Sequence, residues 1–158
     1  MTVAWRLTRP EFAAELHGVG NTITGARWNS PGRGVVYASF NLSLCVLESF
    51  AHLPPLLRIN LPEMVAVRIE LPDEASKLDI DLADLPSDLI GEEAERRCRQ
   101  LGDGWLLAKE HLTCTLPSVI VPQERNLMIN PAHPLMSKVK IISKERFRFD
   151  ARLATPAA

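Results

Sequence analysis

Residues 25–53 read Gly-Ala-Arg-Trp-Asn-Ser-Pro-Gly-Arg-Gly-Val-Val-Tyr-Ala-Ser-Phe-Asn-Leu-Ser-Leu-Cys-Val-Leu-Glu-Ser-Phe-Ala-His-Leu. Three kinds of backbone follow one another here. Gly25, Pro31, Gly32 and Gly34 close a loop, running from Gly18, that can bring backbone close to a ligand. Val35–Ala38 is a short β-branched strand. Asn41–Leu53 is a helix, with Ser39 or Asn41 as its N-cap. Loop, strand and helix within thirty residues point to a mixed fold.

Reading outward, Val3–Leu7 is a short strand and Arg9–Leu16 a short helix. Met64–Leu71 alternates and is β-branched, hence a strand. Gly91–Leu101 reads as a helix with Gly102 just past its end. Thr113–Val121, Leu127–Ile129, Lys138–Ile142 and Arg146–Phe149 read as strands. Many short strands with two or three helices make an α+β domain. No βαβ alternation of the doubly wound kind, no GxGxxG and no P-loop is present.

Length and composition support one domain. At 158 residues, 46% hydrophobic and 23% charged, the chain can bury a core without staples and is not disordered. Residues 1–153 are expected to form the domain and 154–158 a frayed tail. No apolar run approaches the ~18 residues of a spanning helix, and Met1 to Arg9 lacks the pattern of a signal peptide, so no membrane association is expected. Cys45, Cys98 and Cys114 are far apart, without CxxC, which fits a reducing cytoplasm. The histidines at 17, 52, 111 and 133 lack ligand spacing, so no metal is expected.

The net charge of −1 hides an asymmetry: residues 63–95 carry eleven acidic and two basic side chains, residues 96–158 eleven basic and five acidic. The acidic middle (Glu70, Asp73, Glu74, Asp79, Asp81, Asp84, Asp88, Glu92, Glu93, Glu95) is either a solvated face or a partner-facing surface. The basic residues from Lys138 to Arg152 alternate with apolar ones, as in half-buried strands rather than a nucleic-acid patch.

Three segments hold candidate chemistry. In the glycine-rich loop, Arg27 offers a planar, permanently charged fork for phosphate or carboxylate. Trp28 beside it stacks on a ligand ring or packs; the plainer reading is a surface cation–π pair. In the helix, Leu42, Leu44, Cys45, Val46, Leu47, Phe50 and Leu53 place apolar groups almost all round, so the helix is expected to be largely buried. Glu48 lies inside that run with no lysine or arginine three or four positions away. It is desolvated, hydrogen-bonded or facing a cleft, or else it reaches solvent at the helix edge. In the third segment, Ser118 stands in an apolar strand, where its hydroxyl bonds backbone or something more specific. Asn126 and Asn130 flank a strand and cap turns or bind polar ligand atoms, and His133 between prolines reads as a turn residue. No GxSxG elbow surrounds Ser118.

Together these residues resemble the RES-domain family, toxins of RES–Xre toxin–antitoxin systems. The family's Arg, Glu and Ser match Arg27 in Gly-Ala-Arg-Trp-Asn, Glu48 in the apolar helix and Ser118 in Leu-Pro-Ser-Val-Ile-Val-Pro. Trp5-Arg6-Leu resembles its N-terminal aromatic–Arg pair, Val36-Tyr37-Ala38-Ser39 its Tyr-containing strand, and Asn126 through Pro134 its Asn-Pro-x-His-Pro tail. Residues 72–90 match no motif. The resemblance implies an ADP-ribosyltransferase-like fold, two small mixed or antiparallel sheets forming an NAD cleft, flanked by helices. It implies attack on the nicotinamide–ribose bond, with NAD as substrate and no resident cofactor. It also implies a cognate Xre-type helix-turn-helix antitoxin that covers the active site and alone contacts DNA.

On that reading Glu48 stabilises positive charge on the ribose, as carboxylates do in glycosidases. Arg27, with Arg6, holds the pyrophosphate. Tyr37 and Trp28 offer aromatic faces. Ser118 and Asn126 bond the ribose or the nicotinamide amide. NAD hydrolysis, NAD phosphorolysis and ADP-ribosyl transfer to a specific protein all remain open. So does a non-catalytic binding module working through the acidic middle. An RNA-cleaving toxin lacks a basic groove and His or Lys acid–base pairs in residues 1–95. Apolar strands near the C-terminus suit a homodimer.

Overall fold

The computed structural model describes residues 1–85, 87 and 90–157. Asp88 of the acidic stretch and Ala158 of the tail lie outside the described residues. Seven strands form the sheet: β1 Thr2–Thr8, β2 Val36–Ser39, β3 Glu63–Leu71, β4 Lys77–Asp79, β5 Thr113–Pro117, β6 Arg125–Ile129 and β7 Lys140–Arg148. The helices are α1 Val19–Thr22, α2 Leu42–Ala51, α3 Pro55–Ile59 and α4 Glu92–Ala108.

The α+β class is as expected, but the two sheets are not. The strands form one mixed sheet in the order β4-β5-β6-β2-β1-β3-β7. The reason lies in β2, which hydrogen-bonds β6 along its length and β1 on its other edge. Its seam with β1 is thin, with Trp5 opposite Ser39 as its register pair. All neighbours are antiparallel except β4 and β5, whose parallel pairing needs the crossover that α4 supplies. One βαβ unit therefore exists where the sequence suggested none.

Several boundaries differ for physical reasons. Residues 9–16 hold only a 3-10 turn at Pro10–Phe12, because so short a segment does not repay helix nucleation and Glu15 turns back to bond Arg6. The helix α4 runs through Gly102 to Ala108 and ends on Lys109, whose φ of 53° is left-handed. Strand β5 stops at Pro117. The two C-terminal strands are one, because β3 pairs with β7 from Glu63 opposite Arg148 to Glu70 opposite Lys140. The short α3 and β4 carried no clear sequence signal.

Both faces of the β5–β6–β2 half are buried, and strand alternation assigns each side chain to one of them. Val36, Ala38, Leu127 and Ile129 join Ala4, Val67 and Ile69 in one core cluster. Val35, Cys114, Leu116 and Met128 join Trp28, Cys98, Trp105 and Leu106 in a second, against α4, with Tyr37 packed beside them. The first turn of α4 carries Glu92, Glu93 and Glu95, which suit the positive end of the helix. Among the described residues no helix is long and apolar enough to cross a membrane.

Candidate active site

The helix α2 starts where Asn41 caps it, its Oδ1 accepting the Leu44 N–H at 2.8 Å. Of its residues only Leu44 and Cys45 are buried, and Leu47 is 38% exposed. The expectation of an all-round buried helix is thereby corrected: α2 packs on β1 and β2 through one face, and Phe50 meets Phe149 with ring centroids 6.0 Å apart. The Cys45 thiol anchors that face, donating to the Trp5 carbonyl at 2.9 Å. Burial pushes this thiol up from its ordinary value.

One turn further along α2, Glu48 reaches the ends of two strands. Its Oε1 accepts the Ser118 hydroxyl at 2.8 Å and the Asn126 side-chain amide at 2.5 Å. Ser118 follows directly on β5, and Asn126 lies in β6 opposite Ser39 and Leu116. The Ser118 Oγ in turn accepts the backbone N–H groups of Ile120 and Val121, at 3.1 and 2.9 Å. The hydroxyl therefore does both things the sequence left open: it fixes its own loop and binds a specific partner. The second carboxylate oxygen, Oε2, lies 4.0 Å from Nδ1 of His52.

This carboxylate lines a cavity of about 470 Å³, within the usual size range of small-molecule sites. Arg27, Trp28, Tyr37, Glu48, His52 and Asn126 contribute to its wall. Leu116, Val119 and Ile120 supply apolar surface.

The opposite wall is a preorganised loop. Asn29, fully buried, accepts the Tyr37 hydroxyl at 2.7 Å and donates to the Arg33 carbonyl at 2.8 Å. Burial drives the Tyr37 phenol well above its ordinary value, so it stays a neutral donor. Asp103 of α4 accepts both the backbone N–H and the hydroxyl of Ser30, and Arg99 bonds the Ala26 carbonyl. Gly102 is in the helix because the Trp28 carbonyl lies against it: a Cβ there would sit 2.8 Å from the Trp28 carbonyl carbon. Trp28 is 4% exposed and packs in the core beside Cys98 and Trp105 while also contributing to the cavity wall. Arg27 lies near Cys98, whose thiol burial raises and the guanidinium opposes.

Five of the predicted residues, Arg27, Trp28, Tyr37, Glu48 and Asn126, thus meet at one cavity, and Ser118 stands directly behind Glu48. Arg6 is not with them. Strand alternation points it away from Leu7, which lines the cavity, and it pairs with Glu15 Oε1 at 3.1 Å and the Glu15 carbonyl at 2.6 Å. Asn130 and His133 are structural: Asn130 bonds the Leu106 carbonyl, and His133 caps the turn at Pro134–Lys138. Sequence reasoning missed Asn29, Asp103 and His52. Only His52 had a signal, its spacing of four from Glu48.

Comparisons with known proteins agree with this architecture. The profile of the RES domain matches residues 3–150. The Prs ADP-ribosylating toxin of Sphingobium sp. is 36% identical over 165 residues, covering 99% of both chains. A protein named Toxin Res from Pseudomonas putida is 34% identical over 152 residues, covering 96% of this chain and 99% of its own. A chain of the M. tuberculosis MbcT–MbcA toxin–antitoxin complex superposes with a TM-score of 0.69 over 92% of this chain and 83% of that one. At 16% identity this last likeness is one of fold. A profile spanning nearly the whole sequence and full-length relatives above 30% identity lead to one conclusion: the chain belongs to the RES-domain family.

Proposed function

We propose that this chain is the toxin of a toxin–antitoxin system and that it breaks the nicotinamide–ribose bond of NAD. The observation that carries the reading is Glu48: one carboxylate oxygen held by Ser118 and Asn126, the other 4.0 Å from His52 Nδ1, at a cavity that also presents Arg27 and Tyr37. Loss of nicotinamide builds positive charge on the ribose, and a fixed carboxylate lowers the cost of that charge. The two donors on Oε1 hold the carboxylate in place. They also leave Oε2 to face the sugar. Arg27 binds the pyrophosphate through charge-assisted bonds. The Tyr37 ring, fixed through Asn29, offers a face to the departing nicotinamide. In this reading the cavity is the NAD cleft of an ADP-ribosyltransferase-like fold, and Arg6 belongs to the scaffold rather than to the substrate site.

The acceptor is water or phosphate in the first reading. The second reading is ADP-ribosyl transfer to a specific protein, favoured by the name of the Sphingobium relative, an ADP-ribosylating toxin. A cognate antitoxin of the Xre type, covering the cavity, completes the system; the superposed chain comes from a toxin–antitoxin complex. Nicotinamide release from NAD by the purified chain, with phosphate, without it and with cell lysate, tests the reaction class. Release is expected, and Glu48→Gln is expected to lower it by about 10²-fold or more with an unchanged circular dichroism spectrum. Undiminished release by that variant would refute the role of Glu48.

A further inference from the structure

His52 stands at the lip of the cavity, one helical turn beyond Glu48, with its side chain 75% exposed. Its Nδ1 lies 2.7 Å from the main-chain carbonyl oxygen of Glu48. A carbonyl only accepts, so Nδ1 carries the hydrogen and the neutral ring keeps its lone pair on Nε2. Among the described residues no hydrogen bond engages Nε2. The same ring holds Nδ1 4.0 Å from Glu48 Oε2. A base with a defined free nitrogen, oriented by a backbone carbonyl and backed by an acidic side chain, is the arrangement general-base catalysis uses.

We propose that His52 takes the proton from an incoming hydroxyl acceptor, and that the site is built for water or an alcohol rather than for an anion. This rests on the NAD-cleaving reading above. In the step, the acceptor oxygen bonds the ribose C1′ while the C1′–nitrogen bond breaks. The electron pair of that bond leaves with nicotinamide, which departs neutral. The acceptor's O–H proton goes to Nε2, and the resulting imidazolium faces Glu48 Oε2. An acceptor that is already an anion, azide through nitrogen or hydrogen phosphate dianion through one of its unprotonated oxygens, attacks with an atom that carries no proton and has no need of His52.

The test compares nicotinamide release by the wild-type chain, His52→Ala and His52→Gln in water alone, with azide, with phosphate and with cell lysate. Both variants are expected to lose ~10²-fold in kcat with water or lysate acceptors, with KM for NAD within about twofold of wild type. With azide or phosphate as acceptor their rates are expected to match the wild-type rates with the same anion. Because His52→Gln retains a donor for the Glu48 carbonyl, it separates lost chemistry from lost packing. Wild-type release with equal release by the variants in water and lysate would overturn the role of His52 and leave the NAD reading intact. A fall of the same size with every acceptor would also overturn it, by making His52 a structural residue. No release by the wild-type chain with any acceptor would overturn both.

Discussion

The helix α4 contains two glycines two residues apart that meet opposite surroundings, and replacing each by alanine should change stability in opposite directions. Gly104 faces open space, so Gly104→Ala gains helix propensity alone, about 0.5–1 kcal/mol. At Gly102 the same gain is outweighed. A Cβ there lies 2.8 Å from the Trp28 carbonyl carbon and overlaps its oxygen outright, whereas carbon pairs rest at about 3.5–4.0 Å. The Trp28 backbone must therefore retreat by at least ~0.7 Å. The obstacle is main chain, and the same loop is tied to α4 through Ser30 and Asp103, so it cannot retreat alone. Overpacking of this kind costs about 1–3 kcal/mol, and loosening the Ser30 bonds adds about 1 kcal/mol. The net loss is about 2 kcal/mol, or ~4–8 °C in Tm for a chain of this length. Differential scanning calorimetry of both variants checks it, with Gly104→Ala expected about 2 °C above wild type. Because Arg27 adjoins the displaced residue, Gly102→Ala should also raise KM for NAD. Two variants melting within about 1 °C of each other would refute the claim that α4 braces this loop.

Other substitutions probe separate parts of the site. Ser118→Ala removes a donor from Glu48 Oε1 and the acceptor of two backbone N–H groups, so urea unfolding should show a loss of about 1–3 kcal/mol together with reduced nicotinamide release. Tyr37→Phe keeps the ring but leaves the buried Asn29 Oδ1 without that donor; a loss of about 1–3 kcal/mol is expected in the same unfolding experiment. The Glu15 carboxyl, which burial alone would raise, is held below its ordinary value of 4.5 by the His17 N–H and by Arg6. A carboxyl depressed in the folded state stabilises above its unfolded value, and that contribution is lost as pH falls from about 4.5 through the lower folded value. Glu15→Gln should therefore flatten the acid limb of Tm against pH and leave its slope above pH ~6 unchanged.

How much of this was legible beforehand follows from the range of each signal. The strand and the helix after it are local, and both were read within a few residues: the strand as Val35–Ala38 against Val36–Ser39, the helix with Ser39 or Asn41 as its cap, of which Asn41 is the one that caps. The single sheet was not legible, because it depends on β2 bonding on two edges, a fact about strands far away in sequence. Gly102 looked like a helix end because glycine commonly is one; its actual reason is a tertiary contact with Trp28. At the site, local oddities drew attention to Arg27, Glu48 and Ser118 (a charge in a glycine-rich loop, a carboxylate in an apolar helix, a hydroxyl in an apolar segment), but each had a plain structural reading too, and the resemblance to the RES-domain family is what joined them into one site. Arg6 was misplaced because a motif match carries no strand face, and alternation turned it away from the cavity. Asn29 carried no such oddity, since an asparagine in a turn is ordinary until its burial is seen.

The two donors that hold Glu48 lie 70 and 78 residues downstream of it. A ribosome adding about 5–20 residues per second makes Glu48 some 4–16 s before Asn126. During that interval the nascent chain has Arg27, Tyr37 and Glu48 but not the groups that fix the carboxylate, and β2 lacks its partner β6. Chains cut short before residue 118 therefore carry an unfinished site. The order of synthesis makes completion of the carboxylate one of the later events in the life of the newborn molecule, and the delay is written into the spacing of three residues.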